Sequence, residues 1–432
     1  MNNYMLLLIF LTSTAEYFVA LKWLPHPFKY VPEVMAAMLL LVVVVLGARN
    51  RFRYVRPAYW LAFGSMALCM VCSAIINHVD AGPLFAGLRN YLRAIPFFFL
   101  PTVYLFTEAQ IRSQLKLLTG LCLIQGPIAI YQRMHTLARG NSTGDATAGT
   151  LVYSGLLSIF LVCSAGILTA FMLRKRIAWQ RFLPLFLLMI FPTTINETKV
   201  TVFILPLCFM IVFLAGSPAG LRFKNAIVAL FLLVMFGSIF VPIYDYLAAQ
   251  GHGHHNPPIT EFLSNEHQMG KYMDTGAGIG AAHVGRIDAL RVPFQEIAKD
   301  PVHFGFGFGI GNAYDSALGP QFKGRYFYMF KPFLITAASL FMLEIGMLGI
   351  ALLMMLYFLI YRDSRVVAEV DRGFFGAFAV GWSGAVAVIT VTTFYSGIDI
   401  SLPISYFFWF YSGLVASRRM QLAAGEVAPV PA

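Results

Sequence analysis

Apolar runs of about 20 residues recur along this chain, and such runs limit what it can fold into more than any other feature. Hydrocarbon offers no partner to backbone N–H and C=O groups, so a crossing segment must satisfy them as a helix or in a closed barrel. Barrel strands alternate lipid-facing and lumen-facing residues over about ten positions. The runs here are apolar throughout. Only 12% of the 432 residues are charged, against about 25% in ordinary globular domains. The expected class is therefore all-α: a polytopic helical membrane protein forming a single domain over 1–432.

Twelve candidate spans can be marked: Tyr4–Leu21, Val31–Gly47, Tyr59–Asn77, Leu92–Thr107, Leu115–Arg133, Thr150–Leu173, Phe182–Ile195, Thr201–Ala215, Ala226–Tyr246, Phe333–Tyr361, Phe374–Phe394 and Leu402–Ser417. The first carries Glu16 and lacks a basic flank, so a retained span is expected rather than a cleaved signal peptide. Positive residues mark cytoplasmic connections. Arg49, Arg51, Arg53 and Arg56 form one cluster, and Arg174, Lys175, Arg176 and Arg181 another. Arg222, Lys224, Arg362, Arg365, Arg372, Arg418 and Arg419 fall on the same side if both termini are cytoplasmic. The net charge of +11 is thus explained beside the spans, and no nucleic-acid partner is expected.

The outward connections are then His78–Tyr91, Met134–Gly149, Asn196–Val200 and a long polar segment, Leu247–Pro332, between the ninth and tenth spans. Within that segment Ile287, Leu290, Phe294 and Ile297 recur at helical spacing, predicting a short amphipathic helix between Arg286 and Lys299. Asp300-Pro301 ends it, because proline disfavours a helical residue before it. The stretches Gly251–Pro258 and Asp274–His283 read as flexible.

Cations at the outer face carry information, because few are expected there. Those in or next to membrane depth are Arg89, Arg93, Arg133, Arg139 and Lys199, and Arg286 and Arg291 open and follow the helix of the long segment. Arg89 and Arg93 are four apart and share a helix face. Converging guanidinium and ammonium groups suit a diphosphate; snorkelling or local pairing, with Glu197 or Asp288 for example, is the other reading. The acids Glu197, Asp288, Glu296, Asp300 and Glu344 include candidates for a general base, or for buried structural pairs. The run GFGFGIGN, Gly305–Asn312, lacks the strand and βαβ context of a nucleotide loop and reads as backbone passing close to substrate or helix. His252, His254 and His255 have Gly and Pro neighbours and no nearby carboxylate, so a solvated stretch is expected rather than a zinc site. Cys69, Cys72, Cys122, Cys163 and Cys208 all lie in apolar runs and read as packing residues.

The turn NETKVTV (Asn196–Val202), the segment GRIDALRVPFQEIAKDPVHFGFGFGIG (Gly285–Gly311), the span LFMLEIGMLGI (Leu340–Ile350) and the ending FFWFYSGLVASRR (Phe407–Arg419) together resemble the O-antigen ligase and polysaccharide polymerase superfamily of bacterial envelope enzymes. The resemblance implies an inverting, type-C glycosyltransferase in the inner membrane, active at the periplasmic face, with no metal and no cofactor. It implies a polyprenyl-diphosphate-linked glycan as donor and a glycan or lipid-linked acceptor, with a flippase and a chain-length regulator as partners. The family's two basic positions fall on Lys199 and Arg286, which would hold the diphosphate, with Arg291, Arg89 and Arg93 assisting. Asp288 or Glu344 is the candidate base. Ligases carry a histidine upstream of the acid in the span after the long segment; here Ile335 and Thr336 occupy that neighbourhood. This departure favours polymerisation of surface polysaccharide over ligation. Basic residues spaced from a glycine in two outer loops, Arg133 with Gly144 and Arg291 with Gly307, resemble a pattern described for some polymerases. A transporter or flippase of envelope precursors, and a non-catalytic scaffold, are the readings outside this class.

Overall fold

The computed structural model describes residues 1–138, 146–151, 153–196, 198–217, 220, 222–249, 258–279, 281, 284–316, 318–398 and 401–426. Arg139, Gly144, Glu197, His252, His254, His255 and His283 lie outside the described residues.

Among the described residues the structure is helical, with no strand. Helices α1 (Asn2–Ala20), α2 (Val31–Asn50), α3 (Pro57–Ile76), α4 (Ala81–Leu92), α5 (Ile95–Val103) and α6 (Glu108–Ala138) come first. They are followed by α7 (Ser154–Leu173), α8 (Trp179–Ile190), α9 (Pro192–Ile195), α10 (Thr201–Gly216) and α11 (Arg222–Ala249). The polar segment holds α12 (Ile259–Ser264), α13 (Glu266–Met273), α14 (Arg286–Ile297), α15 (Pro301–Phe306) and α16 (Phe327–Phe330). The chain returns through α17 (Ala337–Val370), α18 (Phe374–Thr393) and α19 (Leu402–Ala423).

Eight helices are long and apolar enough to cross a bilayer: α1, α2 with the preceding 3₁₀ turn, α3, α6, α7, α11, α17 and α18. Four of the twelve expected spans do not reach that standard. α5 has 9 residues and α10 has 16, or about 14 and 24 Å of helix against about 30 Å of hydrocarbon. α8 and α9 are divided at Phe191-Pro192, and α19 is long enough but carries polar side chains and Arg418–Arg419. α5 packs on α2 and α19, so protein rather than lipid surrounds it.

α18 is the centre of the bundle, packed against α7, α10, α17 and α19. Small residues permit that approach: a Cβ on Gly381 would lie 2.5 Å from the Ile167 Cα of α7. At one end of the bundle the basic connections meet the acids of α17. Asp363 accepts from Arg56 at 3.1 Å, from the Tyr59 hydroxyl at 2.9 Å and from Arg419. Asp371 accepts from both Nε and Nη2 of Arg418, at 3.1 and 2.7 Å. Arg174 donates to the Ala368 carbonyl and Arg176 to that of Arg372. Both ends of the described chain are here: Glu426 pairs with Arg53, and Asn2 bonds Gln114, which is close in sequence to the Arg112 that stacks on Phe374.

α17 is broken at Gly346, whose φ of 68° and ψ of −169° interrupt the helix. A helical carbonyl accepts from the residue four further on, so the break frees the carbonyls of Leu343, Glu344 and Ile345. Each has a replacement donor: Phe308 N–H on Leu343 at 2.6 Å, the Ser73 hydroxyl on Glu344 at 2.6 Å and the Cys69 thiol on Ile345 at 3.6 Å. The glycine-rich run supplies the fit. A Cβ on Gly346 would meet the Gly305 carbonyl oxygen at 2.3 Å, and one on Gly307 would meet the Leu343 carbonyl oxygen at 2.7 Å. The run Gly305–Gly311 therefore serves a close approach to a helix.

Candidate functional site

The start of α7, the turn before α10, α13, the first residue of α14 and the segments flanking α17 and α18 enclose a cleft of about 500 Å³. Ser154 and Tyr395 on its wall lie at the ends of α7 and α18 away from Arg174 and Arg372. α18 has 20 residues, about 30 Å of helix, so the cleft is at the opposite end of the bundle from the basic connections.

Lys199 and Arg286 both line it. Lys199 lies in the turn between α9 and α10. Asn196 fixes that turn, donating to the Ser154 carbonyl at 3.0 Å and the Ser158 hydroxyl at 2.9 Å while accepting from Thr198 N–H at 3.1 Å. The Lys199 ammonium is over the Phe262 ring at 4.4 Å and the Tyr272 ring at 5.2 Å. Arg286 is the first residue of α14, as its helical spacing predicts. Its guanidinium faces Tyr395 at 4.8 Å and the other cation's neighbour, Tyr272, at 6.0 Å. Nη1 donates to the carbonyls of Tyr395 and Ile335, at 3.1 and 3.4 Å. A hydrogen bond joins the Tyr272 and Tyr395 hydroxyls. Ring faces attract cations without neutralising them. No carboxylate occurs among the described residues lining the cleft, and Arg286 has no acidic partner among the described residues.

Asp288 is fully buried one turn into α14. It accepts from Thr275 N–H at 2.6 Å and the Thr275 hydroxyl at 2.7 Å, and pairs with Arg291. Burial opposes its charge, but the Thr275 hydrogen bonds outweigh it and hold the carboxyl below its ordinary value. Arg291 also pairs with Asp274 at 3.0 Å. These two residues tie the 274–276 turn to α14 and so set the position of Arg286; neither lines the cleft.

The other expected site residues are held apart from it. Arg89 and Arg93, at the end of α4, both pair with Glu33 of α2, Arg93 at 3.2 Å. Glu344 is fully buried behind the break in α17, where its Oε1 accepts Ala313 N–H at 3.3 Å. Glu296 pairs with Lys299, and Asp300 caps α15 by accepting from His303 N–H at 3.2 Å. Ile335 lines the cleft, while Thr336 is buried as the cap of α17, accepting from Ser339 N–H at 3.1 Å. At this point the wall of the cleft is therefore an aliphatic side chain.

Tyr272 and Tyr395 were not marked by sequence reasoning. Tyr272 lies in the last turn of α13 and Tyr395 just after α18, and only the fold brings them to the cations. Compared with known proteins, the chain matches no family model and no curated protein.

Proposed function

We propose that this protein is a membrane glycosyltransferase that uses a polyprenyl-diphosphate-linked oligosaccharide and extends a surface polysaccharide at the outer face of the cytoplasmic membrane. The observation that carries the reading is the convergence of Lys199 and Arg286 on one cleft at the bundle end opposite the basic connections. By the positive-inside rule that end faces outward. The two cations would bind the diphosphate and stabilise the charge that grows on it as the glycosidic bond breaks. Tyr272 and Tyr395 would keep them oriented toward the cleft. A cleft of about 500 Å³ accommodates a diphosphate with part of a glycan, in the usual range for ligand sites. The twelve-segment, type-C architecture belongs to the same proposal, with the short helices α5, α8–α9 and α10 counted as embedded segments.

The missing histidine at Ile335 favours polymerisation over ligation. A carrier would use carbonyls freed at a broken helix to hold an ion; in α17 those carbonyls already accept from Phe308, Ser73 and Cys69. The test is purified protein with the polyprenyl-diphosphate oligosaccharide alone. Longer products are expected from the wild type, and Arg286→Ala should lose about 10²-fold or more of the rate, the scale for removing one charge-stabilising donor. Undiminished long-chain glycan from Arg286→Ala at normal membrane levels would refute the reading.

A further inference from the structure

A smaller cavity of about 170 Å³ adjoins the cationic cleft. Tyr153 and Leu156 line both, so the two spaces are neighbours at the first turn of α7. The remaining wall of the smaller cavity includes the Thr12, Thr150 and Ser401 side chains and one carboxylate, Glu16 of α1. α1 starts at the basic end, where Asn2 bonds Gln114, so Glu16 lies toward the opposite, cleft-bearing end. An acid in an apolar span is costly and calls for a reason. The 3₁₀ turn that carries Lys29 packs against α1.

Resting on the transferase reading above, we propose that this cavity is the acceptor subsite, taking a sugar hydroxyl of the incoming glycan, and that Glu16 is the general base. Ser401 and the Thr150 hydroxyl, which accepts from Gln125 at 2.9 Å, give the cavity polar groups suited to a polyhydroxylated ligand, and Asp288 and Glu344 are buried elsewhere. The step balances without a metal or other co-reactant. The acceptor O–H gives its proton to the Glu16 carboxylate as its oxygen bonds the anomeric carbon. The bond from that carbon to the phosphate oxygen breaks, and its electron pair leaves with the polyprenyl diphosphate, held by Lys199 and Arg286. Base and leaving group would occupy neighbouring spaces that share the Tyr153 and Leu156 lining, with the anomeric carbon bound beside those residues. Displacement across that boundary inverts the anomeric configuration.

The experiment compares Glu16→Gln, Glu16→Asp and Glu16→Ala in purified, membrane-reconstituted protein. Glu16→Gln should bind the polyprenyl-diphosphate donor as the wild type does and lose about 10²- to 10⁴-fold in turnover, the range for a general base. Glu16→Asp should recover part of that loss. Azide is an anionic nucleophile that needs no base, so Glu16→Ala with added azide should release polyprenyl diphosphate and form the inverted glycosyl azide. A merely structural Glu16 would give none of that rescue. If Glu16→Gln turns over at the wild-type rate while Arg286→Ala does not, the acceptor assignment is overturned and the donor site stands. If azide fails to rescue Glu16→Ala, the base assignment is overturned. If the wild type leaves the donor unconsumed, both this proposal and the transferase reading fall.

Discussion

Replacing Gly346 by alanine tests whether the break in α17 is built into the fold. The native φ of 68° with ψ of −169° belongs to a region that side chains other than glycine avoid, at a cost of about 1–3 kcal/mol. The added methyl would also meet the Gly305 carbonyl oxygen at 2.3 Å. To make room the 305–308 segment must withdraw, which endangers the 2.6 Å bond from Phe308 N–H to Leu343. A buried carbonyl left without a donor adds about 1–3 kcal/mol. The sum is about 2–6 kcal/mol, or a midpoint lowered by at least about 4 °C at roughly 2 °C per kcal/mol for a large domain. Gly64→Ala in α3 is the control: a Cβ there meets nothing within 4 Å, and a helical alanine should gain about 0.5–1 kcal/mol. Thermal aggregation of the detergent-solubilised variants, followed by fluorescence, reads both. If Gly346→Ala melts at or above the wild type, the helix can close at this point and the clamp by the glycine-rich run is not required.

At the basic end, Asp363→Ala should cost about 3–5 kcal/mol, because it strands Arg56 and Arg419 together, as breaking one side of a buried ion cluster does; a midpoint near that of the wild type would contradict this. Glu344→Gln keeps an oxygen to accept Ala313 N–H, so glycan elongation should survive it, whereas a Glu344 acting as base would lose activity. Asp288 has its carboxyl held below the ordinary value, so its stabilising contribution is complete above that value and is lost as pH falls through the depressed folded one. Hydrogen exchange over 274–290 should therefore rise on acidification below about pH 4, and Asp288→Asn should show that exposure already at neutral pH.

The membrane class was legible because long apolar runs leave the backbone few options, and each of the eight qualifying helices coincides with such a run. The embedded segments were harder to read. An apolar run of the same composition can cross a bilayer or, like α5, be enclosed by α2 and α19, and that depends on neighbours far away in sequence. The start of α14 at Arg286 followed from periodicity. The break in α17 did not: LFMLEIGMLGI reads as continuous helix, and only the packing of Gly305–Gly307 against it requires otherwise. Lys199 and Arg286 were marked as outer-face cations and set apart as a pair by the resemblance, whereas the partner of Arg89 and Arg93, Glu33, was invisible because the pairing crosses 56 and 60 residues. Ion pairs of that range are set by helix packing, which a linear pattern does not encode.

The cleft is built half on the bundle and half on its margin. Arg286 and Tyr395 bear on the central helices, as does Tyr272 through its hydroxyl, but Phe262 belongs to α12, which hangs from α11. The link is Asp245, accepting from Ile259 N–H at 2.6 Å and the Thr260 hydroxyl at 2.7 Å. α11 has only 17% of its apolar window buried, against 78% for α18, so most of its apolar surface is left uncovered by protein. Lateral displacement of that one outer strut would swing the Phe262 ring away from Lys199 without disturbing the core. A substrate that arrives within the lipid layer could then enter sideways, and cross-linking α11 to α10 should slow entry while leaving both cations intact.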